Sequence, residues 1–272
     1  MIPAPFDYEV ADSVEGAIEL LGSRDEAKLI AGGHSLLPLM KLRLARPELL
    51  VDVGRLSDLA YVRKDGERIA VGALTRHHDV ERDALLRENC AIIAHTAAEI
   101  GDLQVRHRGT IGGSVAHGDP ASDLPAVLLA LDAELVVRGP DGERTIAARD
   151  FFTGFLETAL GAHDVLTEIR VPPVERGTYV KFNRRAQDWA TVGVAAVRAN
   201  GGVHVALTNM GATPLRASGV ERALADGADA AAAAERAAEG TSPQSDPNGS
   251  GEYREHLARV LVRRALETVG RA

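Results

Sequence analysis

The chain has 272 residues, 45% apolar, 26% charged and 4% aromatic, with a formal net charge of −8; these values suit one large or two modest domains and exclude a disordered chain. With 31 Lys+Arg against 39 Asp+Glu there is no global basic footprint, which argues against a nucleic-acid partner. A single cysteine, Cys90, excludes a disulfide framework, a cysteine-based zinc site and an iron–sulfur cluster held by this chain alone.

The start, MIPAPFDYEVADS, is acidic and proline-punctuated, without the basic and apolar segments of a signal peptide. The most apolar stretch, AVLLALDAELVV, is broken by Asp132 and Glu134, so a cytoplasmic protein without a membrane span is expected. Asp12 and Glu15 form a capping-box pattern ahead of Val14, Ala17, Ile18 and Leu21 at helical spacing. An apolar strand, Lys28 to Ala31, runs into Gly32-Gly33, and a helix over LPLMKLRLA stops before Pro47. LLVDVG and RIAVGA read as strands with a turn at Asp65-Gly66 between them, and residues 78–100 read as helical, with Val80, Leu85, Ile92, Ile93 and Ala97 facing the core.

After the glycine-dense RGTIGGSVAHGDPASDLP come a helix at PAVLLAL and a hairpin, ELVVRGPDGERTI, turned at Pro140-Asp141-Gly142. The strand VLTEIRVPP is stopped by Pro172-Pro173, where a domain boundary is expected. Beyond it, YVKFNRR and VGVAAVRANGGVHVALTNMG predict three antiparallel strands, with a hairpin turn at Asn200-Gly201-Gly202. An Ala-rich helix over 228–239, a loop at TSPQSDPNGSG and an amphipathic helix at EYREHLARVLVRRALETV complete the chain. Strands and helices interleave without regular βαβ alternation, so the fold class is α+β.

Two segments share one form: an apolar strand, a Gly-Gly pair, a small hydroxylated residue, then a helix. They are LIAGGHSLLP and GTIGGSVAHGDP. Paired glycines let consecutive backbone amides converge on an anion, and Ser35, Thr110 and Ser114 add hydroxyls. Two such loops on one pocket would suit a pyrophosphate; each alone could equally be a tight turn. Neither G-x-G-x-x-G nor a Gly-Lys pair occurs, so the Rossmann fingerprint and the P-loop are both absent.

AGGHSLLPLMKLRLA followed by TIGGSVAHGDPASDLP closely resembles the FAD-binding medium subunit of the molybdenum hydroxylases, most of all the medium chains of aerobic carbon monoxide dehydrogenases. MIPAPFDY, LLVDVG, RDFFTGF, YVKFNRRAQDWATVGVAAV and GEYREHLARVLVRRALE extend the resemblance over essentially the whole chain. It implies an FAD-binding domain of the PCMH type at 1–173, with subdomains of about 1–56 and 57–173. A C-terminal domain at 174–272, with a three-stranded antiparallel sheet and helices, would follow.

For the cofactor the resemblance implies backbone contacts from Ile30, Ala31, Gly32, Gly33, His34, Ser35 and Leu36, and from Thr110, Ile111, Gly112, Gly113 and Ser114. It places Ile100 beside the flavin, Asp123 on the adenosine ribose, Leu166 and Lys181 on the far side, and Trp189 against the isoalloxazine. The chain departs from the family at Ser114 and His117, where Asn is common, and at Trp189, where the carbon monoxide enzymes have tyrosine. The departures weaken any assignment of carbon monoxide as the substrate of the complex.

Residue by residue, plainer readings compete. Trp189 could be an ordinary half-buried aromatic, Lys181 a solvated lysine and Asp123 a helix N-cap. Arg106 and Arg108 could steer phosphate or sit in solvent. His77-His78, His95 and His107 match no metal-ligand spacing, and Cys90 reads as a small core residue. The family implies an electron-transfer subunit without catalytic residues of its own. It would sit in a dimer of heterotrimers with a large molybdenum-cofactor subunit and a small iron–sulfur subunit, passing electrons through FAD to an external acceptor. Such a complex could lie at the inner face of the membrane. A stand-alone FAD oxidase and a nucleotide-binding scaffold without redox activity are the competing classes.

Overall fold

The N-terminal segment builds a small parallel sheet. Strand β1 (Asp7–Val10) is followed by helix α1 (Val14–Gly22), β2 (Ala27–Ile30), α2 (Leu36–Lys41) and β3 (Leu49–Asp52), with strand order β1-β3-β2. The computed structural model describes residues 2–199 and 201–270. Met1, in the start MIPAPFDY, and Asn200, in the predicted hairpin turn, lie outside the described residues. The cap of α1 is Ser13, not Asp12: the Ser13 hydroxyl accepts from the Gly16 amide at 3.0 Å. Glu15 instead pairs with Arg138 at 2.9 Å. α1 lays Val14, Ala17 and Leu21 on Leu49 and Val51 of the sheet, an amphipathic arrangement.

The middle of the chain forms a five-stranded antiparallel sheet and a helical layer. After a 3-10 turn at Ser57–Leu59, β4 (Val62–Asp65) and β5 (Arg68–Gly72) lead into α3 (His77–Arg82), α4 (Ala84–Asn89), α5 (Ala91–Ala98) and α6 (Leu103–Arg108). α7 (Ile111–His117) and α8 (Asp123–Ala130) complete the helical layer. The hairpin β6 (Glu134–Gly139) and β7 (Gly142–Ala147), the short α9 (Ala148–Phe151), a small ladder of β8 (Phe152–Gly154) with β9 (Glu157–Thr158), and β10 (Val165–Val171) follow, giving the order β4-β5-β10-β6-β7. The helix expected over 78–100 is divided into three. Asp83 adopts φ −63°, ψ 126° and its carboxylate caps α4 by accepting from the Leu86 amide, while Cys90 breaks the chain again at φ −150°, ψ 55°.

The C-terminal sheet contains β11 (Arg176–Phe182), β12 (Val192–Ala199) and β13 (Gly202–Thr208), the three long antiparallel strands, with the two-residue β14 (Leu215–Arg216) added at its edge. α10 (Ser218–Ala225), α11 (Ala230–Ala234) and α12 (Gly251–Gly270) cover it; the expected Ala-rich helix is five residues long and ends in a 3-10 turn at Glu235–Ala238. Ala195 and Val197 of β12 belong to the core of α5 and α8, with Ile92, Ile93, Leu124 and Leu128. Val192, Val194 and Ala196 point the other way, to Leu257, Leu261 and Val262 of α12. Burial on both faces accounts for the unbroken apolar run VGVAAV. No helix among the described residues is long and apolar enough to cross a membrane.

Arg254 of α12 is 2% exposed; it donates to the Thr191 carbonyl and pairs with Asp246 at 2.7 Å. It thereby ties the 241–250 loop to the chain just after Trp189. Arg254→Ala should lower the urea-unfolding free energy by about 3 kcal/mol, because a buried carbonyl loses a charged donor. A loss below about 1 kcal/mol would show that water replaces the guanidinium.

Candidate functional site

β2 ends at Ile30, whose carbonyl accepts from the Val53 amide at 3.0 Å, and the chain turns through 31–35 into α2. Gly33 turns it at φ +75°, a left-handed conformation that disfavours any Cβ. Gly32 is required for a different reason: a Cβ there would collide with the Arg108 carbonyl and stand 2.7 Å from Gly109 Cα. From Ala31 to Leu36 the backbone amides donate no hydrogen bond among the described residues, and helical bonding begins with Leu37 to the Gly33 carbonyl at 3.0 Å. Six consecutive amides without partners, on the wall of a cleft, form an anion-binding nest.

The second glycine motif works differently from the first. Thr110 caps α7, its hydroxyl accepting from the Gly113 amide at 3.1 Å. The Ile111 amide donates to the Thr75 carbonyl at 3.0 Å, Gly112 to Ala73 at 2.8 Å, and Ser114 to Thr110 at 3.0 Å. The expectation of a second set of converging free amides is therefore corrected, since helix capping and the Ala73–Thr75 strand end consume them. Gly112 is needed for packing, because a Cβ would stand 2.5 Å from that of Ala73. Ile111 is fully buried in the core and is the one predicted site residue that does not line the cleft.

The other predicted residues come together. Ile30 to Leu36, Ile100, Thr110, Gly112, Gly113, Ser114, Asp123, Leu166, Lys181 and Trp189 all line one cleft of about 880 Å³. Asp123 is the first residue of α8 rather than its N-cap, which is Ser122. Its carboxylate accepts from the Tyr179 hydroxyl at 2.6 Å and from Lys181 Nζ at 3.0 Å, and Nζ also donates to the Glu99 carbonyl at 3.1 Å. The Lys181 side chain is 3% exposed, so the solvated reading fails. Burial pushes the Asp123 carboxyl up, against the pull of the Lys181 ammonium and the Tyr179 hydroxyl, and it pushes Tyr179 well above its ordinary value.

Trp189 is 59% exposed, more open than the half-buried aromatic considered from sequence. Arg106 pairs with Glu81 at 3.2 Å and donates to the Ile100 carbonyl at 3.0 Å, which fixes the Ile100–Gly101 turn. Arg108 is exposed, and its carbonyl is the atom that excludes a side chain at Gly32. Sequence reasoning missed His77, which is buried on the cleft wall. Its place depends on a bond from its amide to the Gly109 carbonyl, 32 positions along the chain, at 3.0 Å; no local pattern signals such a contact.

Removal of one partner of a buried ion pair strands the other, at a cost of about 3–5 kcal/mol. Asp123→Asn and Lys181→Met should each destabilise the fold, and the double variant should lose at least about 1 kcal/mol less than the sum in urea melts. Additive losses would mean that the two charges act independently.

Two family models match the chain: the FAD binding domain in molybdopterin dehydrogenase over residues 4–174, and the CO dehydrogenase flavoprotein C-terminal domain over residues 177–269. The carbon monoxide dehydrogenase medium chain of Hydrogenophaga pseudoflava is 41% identical, covering 98% of this chain and 97% of the relative. The 6-hydroxypseudooxynicotine dehydrogenase complex subunit alpha of Paenarthrobacter nicotinovorans is 39% identical, covering 98% and 95%. Among solved structures, the carbon monoxide dehydrogenase of Hydrogenophaga pseudoflava that lacks the Mo-pyranopterin moiety superposes with a TM-score of 0.95 at 42% identity, covering 99% of both chains. Quinoline 2-oxidoreductase from Pseudomonas putida 86 gives a TM-score of 0.93 at 31% identity, covering 99% of this chain and 98% of that one. With both halves matched and relatives this similar along nearly its full length, the chain belongs to the FAD-binding medium subunits of the carbon monoxide dehydrogenase-like molybdenum hydroxylases.

Proposed function

We propose that the chain holds FAD in this cleft, with the pyrophosphate on the amides of residues 31–36, and acts as an electron relay. The observation that carries the reading is the run of six amides without a protein partner on the cleft wall, which suits a diphosphate. FAD supplies the exchange of electrons with outside donors and acceptors when it is bound. The chain's own residues bind and orient it. Gly112 and Gly113 keep the facing wall free of side chains, and Ser114 brings a hydroxyl to it. Asp123, held by Lys181 and Tyr179, keeps acceptor capacity for a ribose hydroxyl. Ile100 and Leu166 are apolar walls for the flavin, and Trp189 is the stacking surface at the rim.

The Cys90 thiol is buried and pushed up to about 12, so it is inert, and no cluster of three or more His, Cys, Asp or Glu fit for a metal occurs among the described residues. On this reading electrons arrive from a small iron–sulfur subunit, downstream of a large molybdenum-cofactor subunit, and leave to an external acceptor. The names of the relatives as medium chain and complex subunit support such partners. The organisation proposed is a dimer of heterotrimers in the cytoplasm, with 1–56 and 57–173 as the cofactor-binding units and 174–272 as the closing wall.

The purified chain should quench FAD fluorescence on titration and gain thermal stability with saturating FAD, but not with FMN or NAD. Gly33→Val should remove that binding, since the left-handed backbone resists a branched residue and its Cβ would press on Leu37, at 3.0 Å, so that the loop must re-form. Equal affinity in the variant would reduce the loop to an ordinary turn. In the reconstituted complex, Trp189→Ala should slow flavin reoxidation while substrate still reduces the iron–sulfur centres at nearly the normal rate, as followed by stopped-flow spectra. Direct reduction of the lone wild-type subunit by a small organic substrate would replace the relay with an oxidase.

A further inference from the structure

Three histidines, His34, His77 and His117, line the cleft, and of these only His77 is buried. His77, the first residue of α3, is 3% exposed and lines the cleft. Its amide bond to the Gly109 carbonyl, 3.0 Å, pins it to the seam where Gly109 meets Gly32. The ring edge lies on that seam: a Cβ on Gly109 would come within 2.9 Å of His77 Cδ2 and 3.2 Å of Nε2. On its other side Nδ1 is buried with no hydrogen-bond partner. A buried nitrogen without a partner is costly, and native folds keep few of them. Here the nitrogen belongs to a group that can change its charge, on a cleft shared with the amides of residues 31–36, which offer an anion no positive charge.

The surroundings oppose a charge on this ring while no anion is bound. Burial, then Arg106 of α6 and His34 of the first loop, hold the imidazole down to about 4. Arg106 is itself paired with Glu81 of α3 at 3.2 Å. α5 packs on α3 with apolar side chains and leaves its ionisable His95 exposed. The ring is therefore neutral at ordinary pH, and the negative charge of a diphosphate arriving in the cleft acts against that balance.

We propose that His77 is a ligand of the diphosphate that takes up one proton from solvent as FAD seats, so that an imidazolium beside the seam answers the negative charge held by the nest. The inference rests on the FAD reading above and adds to it a proton-coupled binding step. A group that holds its proton more tightly in the complex than in the free protein makes affinity fall as pH rises. Binding should be strongest at low pH, weaken through the window between the free and bound proton affinities, and level off above it.

The test uses the full chain, titrated with FAD at pH 6 and pH 8 by flavin fluorescence. Calorimetry at pH 6 in two buffers of different ionisation heat counts the protons taken up. Wild type should bind about tenfold more weakly at pH 8 than at pH 6 and show net proton uptake. His77→Gln should lose both the slope and the uptake, whereas His34→Gln should keep them. A purely structural role for His77 would shift affinity at both pH values without touching the slope. Wild-type binding that is independent of pH, a slope that survives in His77→Gln, or one that vanishes in His34→Gln instead would overturn the inference while leaving FAD binding intact. Absence of FAD binding by wild type at both pH values would overturn the FAD reading itself, and the inference with it.

Discussion

The cleft exists because two stretches of backbone touch with no side chain between them. Gly32, at the end of the parallel sheet, lies against Arg108 and Gly109, which enter α7 from the helical layer. Any larger residue at 32 would separate the two. Gly109 is pressed in turn by His77, and Gly112 by Ala73, so Gly32, Gly109 and Gly112 answer to packing, whereas Gly33 and Gly118 take a left-handed φ. The nest is a consequence of this contact. With the loop's back held against Gly109, the amides from 31 to 36 stand clear of any protein acceptor.

The opposite wall is closed by chemistry rather than by close approach. Asp123 at the start of α8 and Lys181 on β11 lie in the stretches matched by the two different family models and meet in a buried pair, with the Tyr179 hydroxyl on the same carboxylate. Desolvation consumes much of what such a pair gains, so its value lies in fixing one register between sheet and helix. A shift of one residue along β11 would turn Lys181 away from Asp123 and carry Tyr179 out of the core. This wall of the cleft and the docking of the C-terminal sheet are thus one requirement.

The sequence made the apolar elements legible and the polar ones less so. α12 carries an amphipathic helical spacing, and β10 and the β6–β7 hairpin are marked by apolar runs bounded by Pro172-Pro173 and by the Pro140-Asp141-Gly142 turn. β1 carries no such signal, because all four of its residues are exposed; it is held to β3 by backbone pairing and by the Tyr8 hydroxyl donating to the Asp52 carboxylate. The breaks at Asp83 and Cys90 escape a periodicity reading, since one residue of altered dihedral angle leaves the apolar spacing nearly intact. The two Gly-Gly motifs look alike in sequence, yet one presents free amides and the other spends them, a difference set by the carbonyls of Ala73 and Thr75 far away in the chain. Resemblance to a family located the wall residues; it did not reveal how Asp123 and Lys181 are partnered, and no local signal pointed to His77.

Trp189 brings these constraints to one point. A chain with 4% aromatic residues leaves its single tryptophan 59% exposed, although an indole gains more from burial than most side chains. The backbone beside it is far from loose. Asn209, itself at φ 62°, donates to the Ala190 carbonyl at 2.7 Å, Arg254 holds the Thr191 carbonyl, and Gln187 is turned at φ 71°. Non-glycine residues in the left-handed region persist only where their neighbours over-determine them. Three such constraints around one exposed indole serve no packing purpose within the chain, because the indole packs on little. They make sense if the ring must stand at a fixed height on the rim while its face stays open, which is what a stacking surface for a planar ligand in the cleft requires.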